Sequence, residues 1–562
     1  MNPVIVVPTY ISGRHQKENK PILQTYDHMD PMSKTDNLLR CLRSINAMQG
    51  DVPVIVLVVS DLGLDNQAAN AVQLTVNKVP QLQTLVVGAP ELSLVQQRLE
   101  QLGIGSKTLE IGLTSYGSIR NLGLVVSAVF GFDAVVFVDD DEVIEDPEFL
   151  KKAVYGLGKF TSKGIPIIAK SGYFLDAEGS WLSKANTEWY DKQWDQGKAF
   201  NKWITKAMNG PRLSRSNVAC GGCLALHKEA FKRLSFDPWI ARGEDLDYML
   251  NLRMYGSTVW FDNQWNLRHL PPETESEGTR FRQDIYRWLY EFRKIEYSRT
   301  QIDLMQIKPS ALMPYPGPFL EPGVQRRIKQ TARLRSLACN DKRAYSKAAA
   351  AASNEAAEYA AENCTNYFEF QSIWPKIMDR LDGDLVLRTA LVQSTALRKG
   401  IDLGEIDMEQ AVADEAAQQA NVAAAAAAAA VANLAEQAQA AAEEHAAVGA
   451  GAAGVAGAAG ADAAVAAGAG AAAGAAGMAG EAAGHAKRAK KNAGFKKGST
   501  QEIMPVSVFP EFANEELDLD DAAGIWAAAE AAATQGTSGE GGLRPREFDP
   551  GLTSEIRLNL QD

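Results

Sequence analysis

Three adjacent carboxylates, Asp139, Asp140 and Asp141, follow the apolar run 134–138. A run of Ala, Val, Val, Phe and Val reads as a buried strand, so the acids stand at its carboxyl end. Crowded there, they repel one another and lose hydration. A divalent cation with oxygen ligands would compensate both costs, and a nucleoside diphosphate would complete its shell. A solvated acidic loop is the other reading. Upstream stands Tyr116-Gly117-Ser118-Ile119-Arg120-Asn121-Leu122-Gly123. The Arg120 guanidinium suits a phosphate, and Asn121 could bond a sugar or hold the acidic loop; an ordinary helix start would look the same. Downstream come Gly221-Gly222-Cys223 and Gly243-Glu244-Asp245-Leu246-Asp247. The glycines let backbone approach a ligand closely. Glu244 and Asp245 could accept donors or act as a general base, or be helix-start acids favoured by the dipole. Finally, His269 in Arg268-His269-Leu270-Pro271-Pro272 could ligate the same cation or be structural.

The elements that must position these residues follow from apolar patterning. Runs 4–7, 54–59, 84–87 and 134–138 read as buried strands. Between them, 36–45 carries Leu38, Leu39, Leu42 and Ile45 at helical spacing, and 118–130 reads as a helix. Strands alternating with helices predict an α/β fold with a mostly parallel sheet, which binds ligands at the carboxyl ends of its strands. Thr9, Asp61 and the three aspartates fall on that edge. Phe281, Ile285, Trp288, Leu289, Phe292 and Ile295 form one helical face, a Pro-rich loop covers 309–322, and 324–400 reads as helical. The expected organisation is a catalytic domain over 1–300, a Pro-rich loop and helical extension over 301–410, an Ala/Gly-rich low-complexity segment over 411–500, and an acidic, disordered tail over 501–562.

The 562 residues carry 57 basic and 69 acidic side chains, a net charge of −12, which argues against a nucleic-acid partner. Five cysteines are sparse and odd in number, against a disulfide framework and in favour of a reducing cytoplasm. Cys220 and Cys223 form a C-x-x-C, but no second pair stands at zinc-site spacing. The opening MNPVIVVPTY has no basic and apolar leader pattern, and no run reads as a membrane span; peripheral contact with a membrane stays open. Trp181, Trp189, Tyr190, Trp194 and Trp203 cluster before Gly221, as acceptor surface or as core.

The ordered set resembles the family 2 glycosyltransferases and their GT-A relatives. It comprises Pro8-Thr9-Tyr10 after the first strand, Asp61, Arg120-Asn121-x-Gly123, Asp139-x-Asp141, Gly221-Gly222, Glu244-Asp245 and His269, over roughly residues 1–275. The resemblance implies a Rossmann-like GT-A nucleotide-diphospho-sugar transferase domain. It implies transfer of a sugar from a nucleotide-sugar donor to the hydroxyl of a carbohydrate or glycolipid acceptor, with inversion and with Mn²⁺ or Mg²⁺. Pro8, Thr9, Asp61, Arg120, Asn121, Asp139 and Asp140 would bind the nucleotide sugar. Asp141, Asp139 and His269 would hold the metal, and Gly221 and Gly222 would line the acceptor side. Asp245 would be the base, with Glu244 orienting the acceptor. Residues 11–34 form a longer first connection than that family has. Two alternatives remain: a sugar-nucleotide nucleotidyltransferase, for which Thr9-Tyr10-Ile11-Ser12-Gly13-Arg14 is a poor phosphate loop, and a non-catalytic carbohydrate-binding or scaffolding protein on a decayed transferase domain.

Overall fold

The first strand explains the layering. Val4 and Val6 belong to one apolar cluster, Ile5 and Val7 to another, and all four are fully buried. A strand covered on both faces needs aliphatic side chains at consecutive positions, because successive residues point to opposite faces. The computed structural model describes residues 1–13, 21–184, 188–272 and 276–400. The expected Ala/Gly segment and acidic tail lie outside the described residues.

Among these, ten strands occur: β1 (Pro3–Ser12), β2 (Asp30–Pro31), β3 (Val54–Ser60), β4 (Thr84–Val87), β5 (Ala134–Phe137), β6 (Glu142–Val143), β7 (Ala169–Leu175), β8 (Leu213–Arg215), β9 (Leu224–His227) and β10 (Trp260–His269). They form one sheet in the order β4-β3-β1-β5-β9-β7-β10-β6, with β2 beside β1 and β8 beside β10. The β4-β3-β1-β5 part is parallel. The chain winds outward from β1 to β4, then returns across β1 to β5. This Rossmann-like reversal opens a crevice at the carboxyl ends of β1 and β5. Beyond β5 the sheet is mixed: β9 runs antiparallel to both β5 and β7. Pro8 fits within β1 because its missing N–H costs nothing there. Val6 faces β5, accepting from the Val138 amide; Pro8, two residues on, faces the same side, where β5 has ended.

The helices are α1 (Asp36–Ala47), α2 (Asp65–Val76), α3 (Ala89–Gln101), α4 (Tyr116–Val129), α5 (Phe149–Val154), α6 (Gln196–Met208), α7 (Lys228–Phe231), α8 (Glu244–Met254), α9 (Glu277–Ser298), α10 (Val324–Ala338), α11 (Lys342–Ala351), α12 (Glu355–Asn363), α13 (Asn366–Leu381) and α14 (Leu385–Arg398). α1 and α2 cover one face of the parallel strands through Leu38, Leu42, Ile45, Val72 and Val76. α4 covers the other through Ile119, Leu122, Val125, Val126 and Val129. That second cluster continues through Ile285 and Trp288 of α9 and Trp374 of α13 to Leu387 and Leu391 of α14. Buried ion pairs pin the extension: Arg98 to Asp384 at 2.7 Å, and Arg398 to Glu91. One apolar cluster therefore runs on both sides of residue 300.

One buried cation fixes the wall of the crevice. Lys294 of α9 reaches Asp237 at 2.6 Å and Asp247 of α8 at 2.7 Å, with no exposure on any of the three. Removing either partner would strand a charge in the core, so α8 is locked to α9 directly below the acids that open it.

Candidate functional site

The turn after β5 divides its three carboxylates. Asp140 is fully buried and accepts from Thr9 Oγ1 at 2.6 Å and from His28 Nε2 at 2.9 Å. Asp141 accepts from His269 Nε2 at 3.2 Å, and His28 Nδ1 lies 3.7 Å from its carboxylate. Asp139 turns the other way, to Arg120 at 3.3 Å. Among the described residues, His28, Asp140 and Asp141 form the group whose ligand atoms all lie within 4.8 Å of one another.

The electrostatics follow from this crowding. Burial alone would lower the His28 pKa, but its bond to Asp140 and the charges of Asp140, Asp141 and Asp30 push it up to about 10. Burial would raise Asp141, yet the His269 bond and the charges of both histidines hold it below its ordinary value. Asp139 rises to about 6: burial and the neighbouring acids outweigh Arg120. Glu142 is pushed well up by burial and by Asp139 and Asp141, while its carboxylate accepts from the Asp139 amide at 2.8 Å. Such concentrated negative charge, with two imidazoles beside it, is a donor set that fits a divalent cation.

His28 comes from the long connection between β1 and α1. Tyr26 packs on Tyr10 and Tyr116 at centroid distances of 4.5 and 5.3 Å. The Asp27 amide donates to Tyr116 Oη at 2.8 Å, and the Asp27 carboxylate pairs with Arg242 at 2.8 Å. These contacts drape the segment over the crevice and aim His28 into the acidic turn.

Arg120 stands near the start of α4, which Ser115 caps by accepting from the Ser118 amide. Its guanidinium faces inward: Nε to Glu244 at 2.7 Å, Nη1 to the Gly221 carbonyl at 3.1 Å, Nη2 to Asp139, with its plane over Phe137. It ties three segments together through three of its five N–H donors. The two glycines are set by close approach. A Cβ on Gly221 would stand 2.6 Å from an Arg120 nitrogen, and one on Gly222 2.0 Å from Glu142 Oε2.

Across the crevice, Glu244 is buried against Arg120, whereas Asp245 is half-buried. Asp245 Oδ2 accepts from the Gly221 amide at 3.0 Å and Oδ1 from the Leu246 amide at 2.6 Å. Asp245, Glu244, the acidic turn, His28 and His269 all line one cavity of about 420 Å³. Tyr173, Phe174, Trp181, Phe200, Trp203 and Phe261 form its apolar side. The tryptophan cluster thus splits: Trp181 and Trp203 face the cavity, Trp194 packs in the core on Trp288 and Phe319, and Trp189 is exposed.

The remaining expected residues lie elsewhere. Asn121 is fully buried, its amide spent on the Glu110 and Phe236 carbonyls and the Phe236 amide. Pro8 is inside β1. Asp61, at the end of β3, accepts from the Gly13 amide at 3.0 Å and does not line the cavity. Cys220 lines the cavity and Cys223 is buried beneath it; both thiols are free and pushed well up in pKa, by burial first. His28, Arg242 and Arg287 line the site without any local sequence signal to mark them. The unusual length of 11–34 is the one hint that something is delivered from there.

No protein-family model and no curated protein matches this chain. Solved structures give partial likenesses. One is a mannosyltransferase from Pyrobaculum calidifontis in complex with GDP-Man and Mn²⁺: 14% identity, 70% of this chain and 87% of that one covered, TM-score 0.33. A second is the glucosyl-3-phosphoglycerate synthase of Mycobacterium tuberculosis in complex with phosphoglyceric acid: 14% identity, 52% and 79% covered, TM-score 0.28. A third is GalNAc-T7 with UDP, GalNAc and Mn²⁺: 9% identity, 60% and 57% covered, TM-score 0.28.

Proposed function

We propose that this chain is a glycosyltransferase of the GT-A type, moving a sugar from a nucleoside-diphosphate sugar to an acceptor hydroxyl. The observation that carries the reading is the pairing, within one cavity, of the His28, Asp140 and Asp141 donor set with the half-buried carboxylate of Asp245. His28, Asp140 and Asp141 would hold a divalent cation, with His269 beside Asp141 as a further ligand. Two imidazoles favour Mn²⁺ over Mg²⁺, which prefers oxygen ligands and water. The cation, when bound, offsets the charge of the departing diphosphate.

The chain's own residues supply the rest. Thr9 holds the Asp140 carboxylate in one orientation by donating to Oδ2. Arg120 fixes Asp139 and Glu244 relative to each other, so Asp139 lies at the edge of the nucleotide site through a rigid strut. The Gly221 and Leu246 amides orient Asp245, and each carboxylate oxygen retains a lone pair for the cavity. Asp245 takes the proton of the acceptor hydroxyl as its oxygen bonds to the anomeric carbon and the diphosphate leaves from the opposite face, which inverts that carbon. Trp181 and the neighbouring rings offer faces on which a sugar can stack. Among the described residues no helix is long and apolar enough to cross a membrane.

The test is calorimetric titration of UDP and GDP into the full chain with and without Mn²⁺, alongside a transfer assay with UDP- and GDP-sugars. Metal-dependent binding is expected to vanish in Asp141→Ala. Asp245→Asn should bind as the parent does and lose about 10²- to 10⁴-fold in transfer. Nucleotide affinity that ignores both the metal and Asp141 would sink the reading.

A further inference from the structure

Four arginines line the cavity: Arg120, Arg242, Arg280 and Arg287. Three have acid partners. Arg120 is held by Glu244 and Asp139, Arg242 by Asp27 at 2.8 Å and Asp284 at 3.4 Å, and Arg280 lies 3.7 Å from Asp27. Arg287 differs. Among the described residues its guanidinium makes no ion pair or hydrogen bond and its Nε is sealed from solvent without a partner, although it lies over the Trp288 ring at 4.8 Å and feels the charges of Asp245, Asp284 and Glu291. A buried donor left unmade is costly, and the local backbone is built around it. Gly243 stands at φ 73°, and a Cβ there would lie 2.1 Å from the Arg287 Cζ. The guanidinium therefore packs closely on the Gly243 backbone two residues before Asp245, and Tyr315 also lines the cavity. A guanidinium matches an oxyanion with paired donors.

We propose that Arg287 seats an oxyanion of the acceptor, so that the acceptor is a hydroxyl compound bearing a phosphate or carboxylate group. This rests on the transferase reading, because it assigns the anion to the Asp245 side of the cavity and the donor diphosphate to the His28-Asp140-Asp141 side. The acidic turn repels a second anion, and a cationic seat beside the base would draw the acceptor to the correct end with its hydroxyl toward Asp245.

The full chain, stripped of metal with EDTA, is titrated with inorganic phosphate and separately with acetate, by calorimetry. Arg287→Gln and Arg287→Lys are treated alike, with circular dichroism melts to show that each folds. The parent is expected to bind one of the two anions, and which one identifies phosphate or carboxylate. Arg287→Gln should weaken that binding about tenfold or more, the scale of a lost charge-assisted hydrogen bond. Arg287→Lys should fall between, keeping the charge and losing the fork. With Mn²⁺ restored, UDP and GDP should bind parent and variants alike. No anion binding in the parent, or equal binding in Arg287→Gln, overturns the proposal. So does a matching loss of nucleoside-diphosphate affinity, which would move Arg287 to the donor side. A parent that takes phosphate through Arg287 but no nucleoside diphosphate keeps the anion site and overturns the transferase reading instead.

Discussion

Replacing Arg120 by Met tests whether this residue is a phosphate ligand or a buried strut. The guanidinium is 4% exposed and bridges Glu244 at 2.7 Å, the Gly221 carbonyl at 3.1 Å and Asp139 at 3.3 Å. Methionine keeps much of the volume but leaves Glu244 buried without its cation. Breaking a buried pair on one side costs about 3–5 kcal/mol. Unfolding entropy of about 2.1 cal/mol/K per residue, over a fold of about 400 residues, is about 0.8 kcal/mol/K, so the loss lowers Tm by about 4–6 °C. The charge argument makes a second demand. Arg120→Met combined with Glu244→Gln removes both ions, and the double variant should recover about 1–3 kcal/mol of the loss, because the stranded carboxylate was its larger part. The assay is thermal unfolding of parent, both single variants and the double variant at neutral pH and fixed ionic strength. An Arg120→Met protein that melts with the parent, or a double variant no better than Arg120→Met, refutes the strut. A stable Arg120→Met variant with weakened nucleotide binding would return Arg120 to the phosphate.

His28→Gln keeps the size of the side chain and removes a metal donor; Mn²⁺ affinity, followed by EPR titration of metal-free protein, should fall about tenfold or more. Gly222→Ala places a Cβ 2.0 Å from the Glu142 carboxylate, and the forced shift should cost about 1–3 kcal/mol in urea unfolding. Trp181→Ala, which removes a ring 39% exposed on the cavity rim, should raise the acceptor KM and leave kcat near the parent value. A chain ending at residue 400 keeps every cavity-lining residue and the core through Leu391 and Ala396; its melting temperature and Mn²⁺-dependent nucleotide affinity should match those of the full chain.

Where each residue sits along the chain is local information, and much of the parallel half was legible from it. Val4–Val7, Val54–Val59 and 134–138 are apolar at every position because each lies between two helical layers, and that demand is written residue by residue. The polar residues that end those strands then fall on one edge, which is why Asp139, Asp140 and Asp141 could be read as a site. Direction within the mixed half was not legible. Leu224–His227 is four residues long, and a short apolar run pairs equally well either way until β5 and β7 flank it.

Side-chain destination is decided only when distant segments meet. Arg120 and Asn121 are neighbours in sequence, yet one ties the crevice walls together and the other is spent on the backbone beneath them. Their roles depend on Glu244 and Phe236, more than a hundred residues away. His28 lies 112 residues before the Asp140 it bonds, in a stretch with no periodicity. What brings it there is Tyr26 wedged between Tyr10 and Tyr116. The sequence by itself determined the layers and the edge at which chemistry can occur, because burial acts on each residue singly. The tertiary structure alone decided which charges meet, because an ion pair or a metal site is a property of two or more groups whose separation no local pattern encodes.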